Sequence, residues 1–345
     1  MPEQANTLNI EKLVTAVLDT IEKEREREII ARRFGLFDRK ETLEQIGELL
    51  GITRERVRQL EKAAVLRLKA QAEQGKLPSV AELQSTFASM LGNGGDAARV
   101  SDVSAKLTKD NSRIDQARVS FLSKLSPNLI TLDENDFYFQ GMALVSTYDD
   151  KKLKKRIEEV IEAVKKIGEP TSIDKIAAEV NDNDSKKVRA VASLSKQLAT
   201  LNGRWGLIKW PMVNPKNIRD KIYVILFENG KQMHFSEISD AIKASGFKRK
   251  DVTTQAIHNE LIKDSRFVLV GRGIYALKEW GYKKGTVADV ITDVLKKADE
   301  PLHRDEIVKR VLKSRYVKET TILLNLQGKQ QFKRVAKATY TLAEK

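Results

Sequence analysis

Arg54, Glu55, Arg58 and Gln59 stand at i, i+1, i+4 and i+5, a spacing that gathers them on one face at the start of a helix. Their chemistry suits the edges of DNA bases. Arginine can donate both arms to O6 and N7 of guanine, glutamine can bond adenine, and glutamate can accept from the cytosine amino group. The same charges also suit a solvated helix face laced by i,i+4 ion pairs, or a helix that docks on protein. The choice depends on the elements that hold the face.

Those elements are written in Thr42 to Lys69, TLEQIGELLGITRERVRQLEKAAVLRLK, which reads as two short helices joined by a tight turn. Leu43, Ile46, Leu49 and Leu50 recur at helical spacing, and Ile52, Val57, Leu60 and Ala64 continue the inward face. Thr42 with Gln45 three residues on predicts a capping box. Gly51 supplies a left-handed end to the first helix, and Thr53 is placed to cap the second. With Val57 and Leu60 inward, the arginine-rich end faces out, as in a helix whose N-terminus enters a major groove.

The stretch EREREIIARRFGLFDRKETLEQIGELLGITRERVRQLEKAAVLRLK resembles the fourth conserved region of bacterial primary sigma factors. The resemblance covers about residues 8 to 72. It rests on Arg33-Phe34-Gly35-Leu36, on Thr42 to Gly47 and above all on Thr53 to Glu61. It implies base reading by Arg54, Glu55, Arg58 and Gln59, with Thr53, Arg56 and Lys62 completing the DNA-binding set. The motif departs from the family after Glu61, reading Lys62 then Ala63 where the family has alanine then lysine. The residues before Thr42 read as helices over Ile10 to Ile21 and Arg25 to Arg33, which in the family also dock on the polymerase β flap. The family's aromatic-rich promoter-melting region has no counterpart in this sequence, so the expectation is a sigma-like reader that is not a complete sigma factor.

The chain has 345 residues, a net charge of +14 and no cysteine, with a pI near 9.6. This balance points toward nucleic acid or another polyanion, and the length toward two or more domains. The charge is uneven: residues 1 to 149 hold 21 Lys+Arg against 23 Asp+Glu, and residues 150 to 345 hold 41 against 25. Without cysteine there is no disulfide framework. A start without a basic n-region or apolar h-region, and no long apolar run, predicts a cytoplasmic protein with no membrane partner.

After Lys69 the pattern loosens through Gln71 to Pro78, which reads as a linker. From Val80 the order is a helix, a break at Gly92-Asn93-Gly94-Gly95, a short helix through Val100, Val103 and Leu107, and a helix over Ile114 to Leu125. Two strands follow, Asn128 to Leu132 and Asp136 to Gln140. Three helices and a hairpin outline a winged helix, and the outline recurs with a period of roughly 65 residues. Ile157, Val160, Val164, Glu169-Pro170, Asp174 and Ile176 match Val287, Val290, Val294, Glu300-Pro301, Asp305 and Ile307; Ile218, Ile222, Ile225, Glu237 and Ile238 supply a further copy. Trp205-Gly206-Leu207, Tyr275-Ala276-Leu277 and Tyr340-Thr341-Leu342 close the hairpins, with Asn202-Gly203 a type I′ signal.

The expected division is a sigma-region-four-like domain over 1–76 and winged-helix units over 77–147, 148–213, 214–283 and 284–345, mainly α with small β-hairpin wings. The last three units resemble the HARE-type winged-helix module of the RNA polymerase delta subunit. Arg204, Arg272 and Lys337 fall at the wing tips, where they would reach phosphate or simply keep an exposed edge soluble. Third-helix candidates are Lys186, Lys187 and Arg189, then Thr253, Thr254 and Asn259, then Lys318, Thr320 and Asn325.

His234, His258 and His303 lack ligand spacing, and no phosphate-binding loop or nucleophile motif appears. The expectation is therefore no metal, no cofactor, no small-molecule substrate and no catalysis. The sequence predicts a DNA-binding transcription factor whose partners are double-stranded promoter DNA and bacterial RNA polymerase core. The alternative is a delta-like protein whose helices all bind polymerase.

Overall fold

The computed structural model describes residues 9–343 apart from residues 248, 250, 283, 284, 299 and 314. The chain is mainly helical with small antiparallel three-stranded sheets, and it divides into two compact units, residues 1–209 and 210–345.

The first unit opens with α1 (Ile10–Asp19), α2 (Glu24–Phe34), α3 (Leu43–Leu50) and α4 (Arg54–Glu73). The ends of α3 and α4 are set by local chemistry. Thr42 and Gln45 form the reciprocal capping box, Gly51 ends α3 at φ 61°, and the Thr53 side chain accepts from the Arg56 backbone N–H at 3.2 Å. The turn also needs a glycine inside α3, because a Cβ on Gly47 would meet the Ile52 carbonyl oxygen at 2.7 Å. Ile29, Ile46 and Val57 form the small core beneath the turn. Leu49 departs from expectation: it is 55% exposed, because that core is filled by Leu43, Ile46 and Leu50 and Leu49 points away from it.

Four copies of one element order follow: helix, short strand, two helices, hairpin. The first is α5 (Pro78–Gly94), β1 (Ala97–Arg99), α6 (Val100–Leu107), α7 (Arg113–Leu125), β2 (Leu129–Leu132) and β3 (Gly141–Leu144); the second is α8 (Asp150–Ile167), β4 (Thr171–Ser172), α9 (Ile173–Glu179), α10 (Ser185–Leu194), β5 (Leu198–Leu201) and β6 (Arg204–Leu207). In the second compact unit come α11 (Ile218–Asn229), β7 (Met233–His234), α12 (Phe235–Ala244), α13 (Thr254–Lys263), β8 (Phe267–Gly271) and β9 (Ile274–Leu277). The last copy is α14 (Val287–Ala298), β10 (Leu302–His303), α15 (Arg304–Leu312), α16 (Glu319–Gly328), β11 (Phe332–Ala336) and β12 (Thr339–Leu342). In every copy the short strand pairs with the second hairpin strand, so the last strand lies in the middle of its sheet.

Three boundaries differ from the sequence reading. The helix of residue 54 continues to Glu73, and Ala72 and Leu77 are buried in the core, so Gln71 to Pro78 is not a loose linker. Helix α5 runs through Gly92 and Gly94, and the break falls at Gly95 with φ 103°. The second strand of the first hairpin is Gly141–Leu144 rather than Asp136 to Gln140. Residues 137 to 139 lie along the end of α10 instead: Phe139 N–H donates to the Leu194 carbonyl at 2.9 Å and Lys196 N–H to the Phe137 carbonyl at 2.8 Å.

Two cores share α4. Its first turns carry Val57 into the small core, and Ala64, Leu68 and Ala72 enter a larger one with Ile10, Val14, Phe87, Phe121 and Leu122. The helix is thus anchored along its C-terminal half while its N-terminal end projects from a minimal support. Helix α7 is fixed to the same body. Phe121 packs on Phe34 with ring centroids 5.0 Å apart, and buried Arg118 donates to the Leu36 carbonyl at 2.8 Å and pairs with Glu11 at 2.9 Å.

Candidate nucleic-acid interface

Arg54, Glu55, Arg56, Arg58 and Gln59 are all exposed on the first two turns of α4. Val57 is fully buried between them, which fixes the rotation of the helix and turns the polar set outward. The side chains are tied to one another. Arg58 donates to both oxygens of Glu55, at 2.8 and 2.7 Å, Gln59 reaches Glu55 at 3.4 Å, and Arg56 reaches Gln59 at 3.3 Å. Arg54 pairs with Glu44 of α3 at 2.8 Å. The bond from Arg58 holds the Glu55 carboxyl below its ordinary range and raises the Arg58 guanidinium in turn. Exposed pairs of this kind contribute little to stability, so each partner can be exchanged for a base edge at small cost. The backbone N–H groups of the first turn add a positive end to the helix.

The remaining sequence candidates are dispersed. Lys62 lies one turn further along α4. Lys186, Lys187 and Arg189 lie on α10, which is packed against the preceding sheet: Val188, Ala190, Val191, Ala192 and Leu194 are buried, and Lys187 pairs with Asp96 at 3.1 Å. The α10 start is pressed so closely to the corner before β1 that a Cβ on Gly95 would meet Lys187 N at 2.8 Å. Arg99 adds a hydrogen bond to the Ser193 carbonyl. Helix α10 therefore lies against protein along much of its length, and only Lys186 and Arg189 of the three are exposed.

Arg204 follows the Asn202-Gly203 turn, whose φ values of 49° and 77° are both positive as a type I′ hairpin needs. Arg272 and Lys337 are exposed in the turns of the third and fourth hairpins. Thr253 is spent as the cap of α13, accepting from Ala256 N–H at 3.2 Å, and Thr254 faces Ser239 at 3.3 Å. Asn259 bonds Gln255 at 3.1 Å, and Asn325 bonds the Thr321 carbonyl at 2.8 Å. Lys318 is the N-cap residue of α16, and Thr320 is exposed on that helix. Trp205 is buried in its hairpin, and Trp280 packs on Val268, Val270 and Ala276. Glu44 and Gly47 have roles that spacing did not reveal, since both act across the turn.

Residues 23–70 match the family described as Sigma-70, region 4. The matched segment spans all of α2 and α3 and α4 to Ala70. Relatives include the RNA polymerase sigma factor SigA of a Bacillus species, 43% identical over 67 residues, which are 19% of this chain and 18% of the relative. The RNA polymerase sigma factor RpoD of Helicobacter pylori is 48% identical over 59 residues, 16% of this chain and 9% of its own length. RNA polymerase sigma factor sigB of Arabidopsis thaliana is 43% identical over 70 residues, 20% of this chain and 12% of its own. The chain spans less than a fifth of the length of these curated relatives.

Among the described residues no cluster of His, Asp or Glu could hold a metal, and no helix is long and apolar enough to cross a membrane.

Proposed function

We propose that this chain is a non-catalytic, sequence-reading DNA-binding protein of the cytoplasm that recognises promoters together with bacterial RNA polymerase. The observation that carries the reading is the exposed set Arg54, Glu55, Arg58 and Gln59 at the N-terminal end of α4, within a helix-turn-helix that matches Sigma-70 region 4. The projecting end of α4 enters the major groove, where Arg58 releases Glu55 and takes a guanine while Glu55 or Gln59 takes a neighbouring base. Thr53, Arg56 and Lys62 hold the backbone beside it. Helices α1 and α2 are the surface offered to the polymerase, with the β flap as the partner.

The four repeated units are read as winged helices, over 77–147, 148–213, 214–283 and 284–345, the first divergent and the last three of the HARE type. Arg204, Arg272 and Lys337 on the hairpins, and Lys186 and Arg189 on α10, serve as non-specific phosphate contacts in this reading. A delta-like role for part of the chain is favoured by one observation: α7 and α10 are spent on packing against their own neighbours. Units that cannot offer their third helix to a groove suit polymerase better than DNA.

Selection of bound duplexes from a random pool tests the reading, with and without core polymerase. A shared motif that loses its preference at one base pair in the Arg58→Ala variant supports it. Recovery of unselected sequences with undiminished core-enzyme binding would replace it by the delta-like role.

A further inference from the structure

A groove runs along α4 where α7 lies beside it. One stretch, about 250 Å3, is lined by Arg58, Lys62, Leu66 and Lys69 of α4 and by Lys124 of α7. A wider stretch, about 760 Å3, shares Phe34, Glu61 and Lys124 with the first and adds Arg39 and Lys40 from the α2–α3 connection and Arg113 from the first turn of α7. Residues far apart in sequence therefore line one channel that begins at a member of the base-reading set.

The charges of this channel are poorly balanced. Arg39, Lys40, Lys62, Lys69 and Arg113 make no ion pair among the described residues, and Lys124 has a stretched ion pair with Asp133 at 3.9 Å and lies 5.7 Å from the centre of the Phe34 ring. Arg33 and Glu61, at 3.2 Å, satisfy each other, Glu134 is tied to Lys196 at 2.7 Å, and Asp38 and Asp133 are the remaining carboxylates of the lining, outnumbered by the cations. Unneutralised cations gathered along a cleft raise its potential and attract a polyanion. A duplex is favoured over an acidic protein face because the channel is continuous with Arg58. A strand whose bases meet the start of α4 has its phosphates passing the neighbouring cations.

We propose that the channel between α4 and α7 carries a DNA phosphate strand, with Arg113 and Lys124 as phosphate contacts supplied from outside the region-four segment. This rests on the reading that α4 enters the major groove. Helix α7 then acts as a second wall that clamps the backbone, and its rigid attachment through Arg118 and Phe121 fixes the angle at which DNA is held. The contacts add affinity and register without sequence information.

The test uses the full chain and fluorescence anisotropy with two labelled duplexes, one carrying a selected site and one of random sequence, over a series of salt concentrations. Arg113→Ala with Lys124→Ala should weaken both duplexes by the same factor and flatten the slope of log affinity against log salt by about 0.9 for each phosphate lost. Asp133→Asn should tighten both, since it removes a negative charge from the channel wall. An unchanged slope and affinity in the double variant would overturn the proposal, and so would a loss confined to binding of core polymerase. If the double variant melts early, Arg113→Gln with Lys124→Gln gives the same readout with the stems retained. Arg58→Ala separates the two readings: it weakens the selected site, relaxing preference at one base pair, and leaves the random-duplex slope within one phosphate of the parent. A chain that selects no sequence yet loses slope in the double variant keeps the channel and loses the reading helix.

Discussion

Arg58 and Glu55 are joined by two hydrogen bonds, Nε to Oε2 at 2.8 Å and Nη2 to Oε1 at 2.7 Å, on a helix face fully open to water. The pair holds the arginine fork extended one turn from the helix start. Because it is solvent-screened, it orients the fork without locking it. Arg58→Ala should therefore cost about 1–3 kcal/mol on the selected site and relax preference at one base pair, with little change on random DNA. Anisotropy on matched and single-substituted duplexes measures this. Equal losses on all sequences would make Arg58 a phosphate contact.

Among the described residues Thr53 is the side chain that caps the projecting end of α4. Thr53→Ala should lower stability by about 1 kcal/mol, and Thr53→Ser should restore most of it. Hydrogen exchange should show the loss first at the amides of Arg56 and Val57. Protection there that matches the parent would mean that packing on Ile29 and Ile46 holds the turn without the cap.

The helix-turn-helix was legible because its determinants are local. Thr42, Gln45, Gly51 and Thr53 act within a few residues, and Val57 sets the face by helical period. Gly47 and Glu44 escaped because each acts across the turn, on Ile52 and Arg54. The run Phe137-Tyr138-Phe139 imitates a strand in composition, but its partner is residues 194–196, more than fifty positions away. Lys187 looked like a surface cation because its partner, Asp96, belongs to a different repeat. The repeat itself was visible in its apolar spacing and closing aromatics, whereas which helices pack and which stay open is a tertiary property.

In residues 210–345, Arg266 bonds Asp264 at 2.8 Å and Asp220 at 3.3 Å. The Arg266 hydrogen bond holds the Asp264 carboxyl below its ordinary range, against the opposing effect of burial. A carboxyl depressed in the folded state stabilises above its unfolded pKa, about 3.9, and that contribution is lost as pH falls through the folded value. Asp264→Asn should thus lower stability near neutral pH by about 1 kcal/mol and flatten the fall in acid. Thermal melts from neutral pH into the acid range give both. A variant whose acid limb parallels the parent's would assign the acid sensitivity to other carboxylates.

Gly95 ends α5 at φ 103°, and its α-hydrogen side faces the Lys186 carbonyl and the Lys187 amide. Alanine there faces two penalties at once: a backbone conformation that side chains resist, and a methyl group driven into backbone that cannot rotate away. Gly95→Ala should destabilise by about 1–3 kcal/mol, the range of overpacking at a close contact. The damage should be directional. Lys187 would be pulled from Asp96 and α10 lifted from β1, while the Ile29–Ile46–Val57 core, which touches none of these residues, stays intact. Hydrogen exchange should show α10 and β1 opening together, with α3 and α4 unchanged. DNA selection by the Arg54–Gln59 face should survive the substitution. Loss of site preference in Gly95→Ala would mean that the packing of α10 supports the reading helix through α5 and the large core, and that the two halves of α4 are energetically coupled rather than separately held.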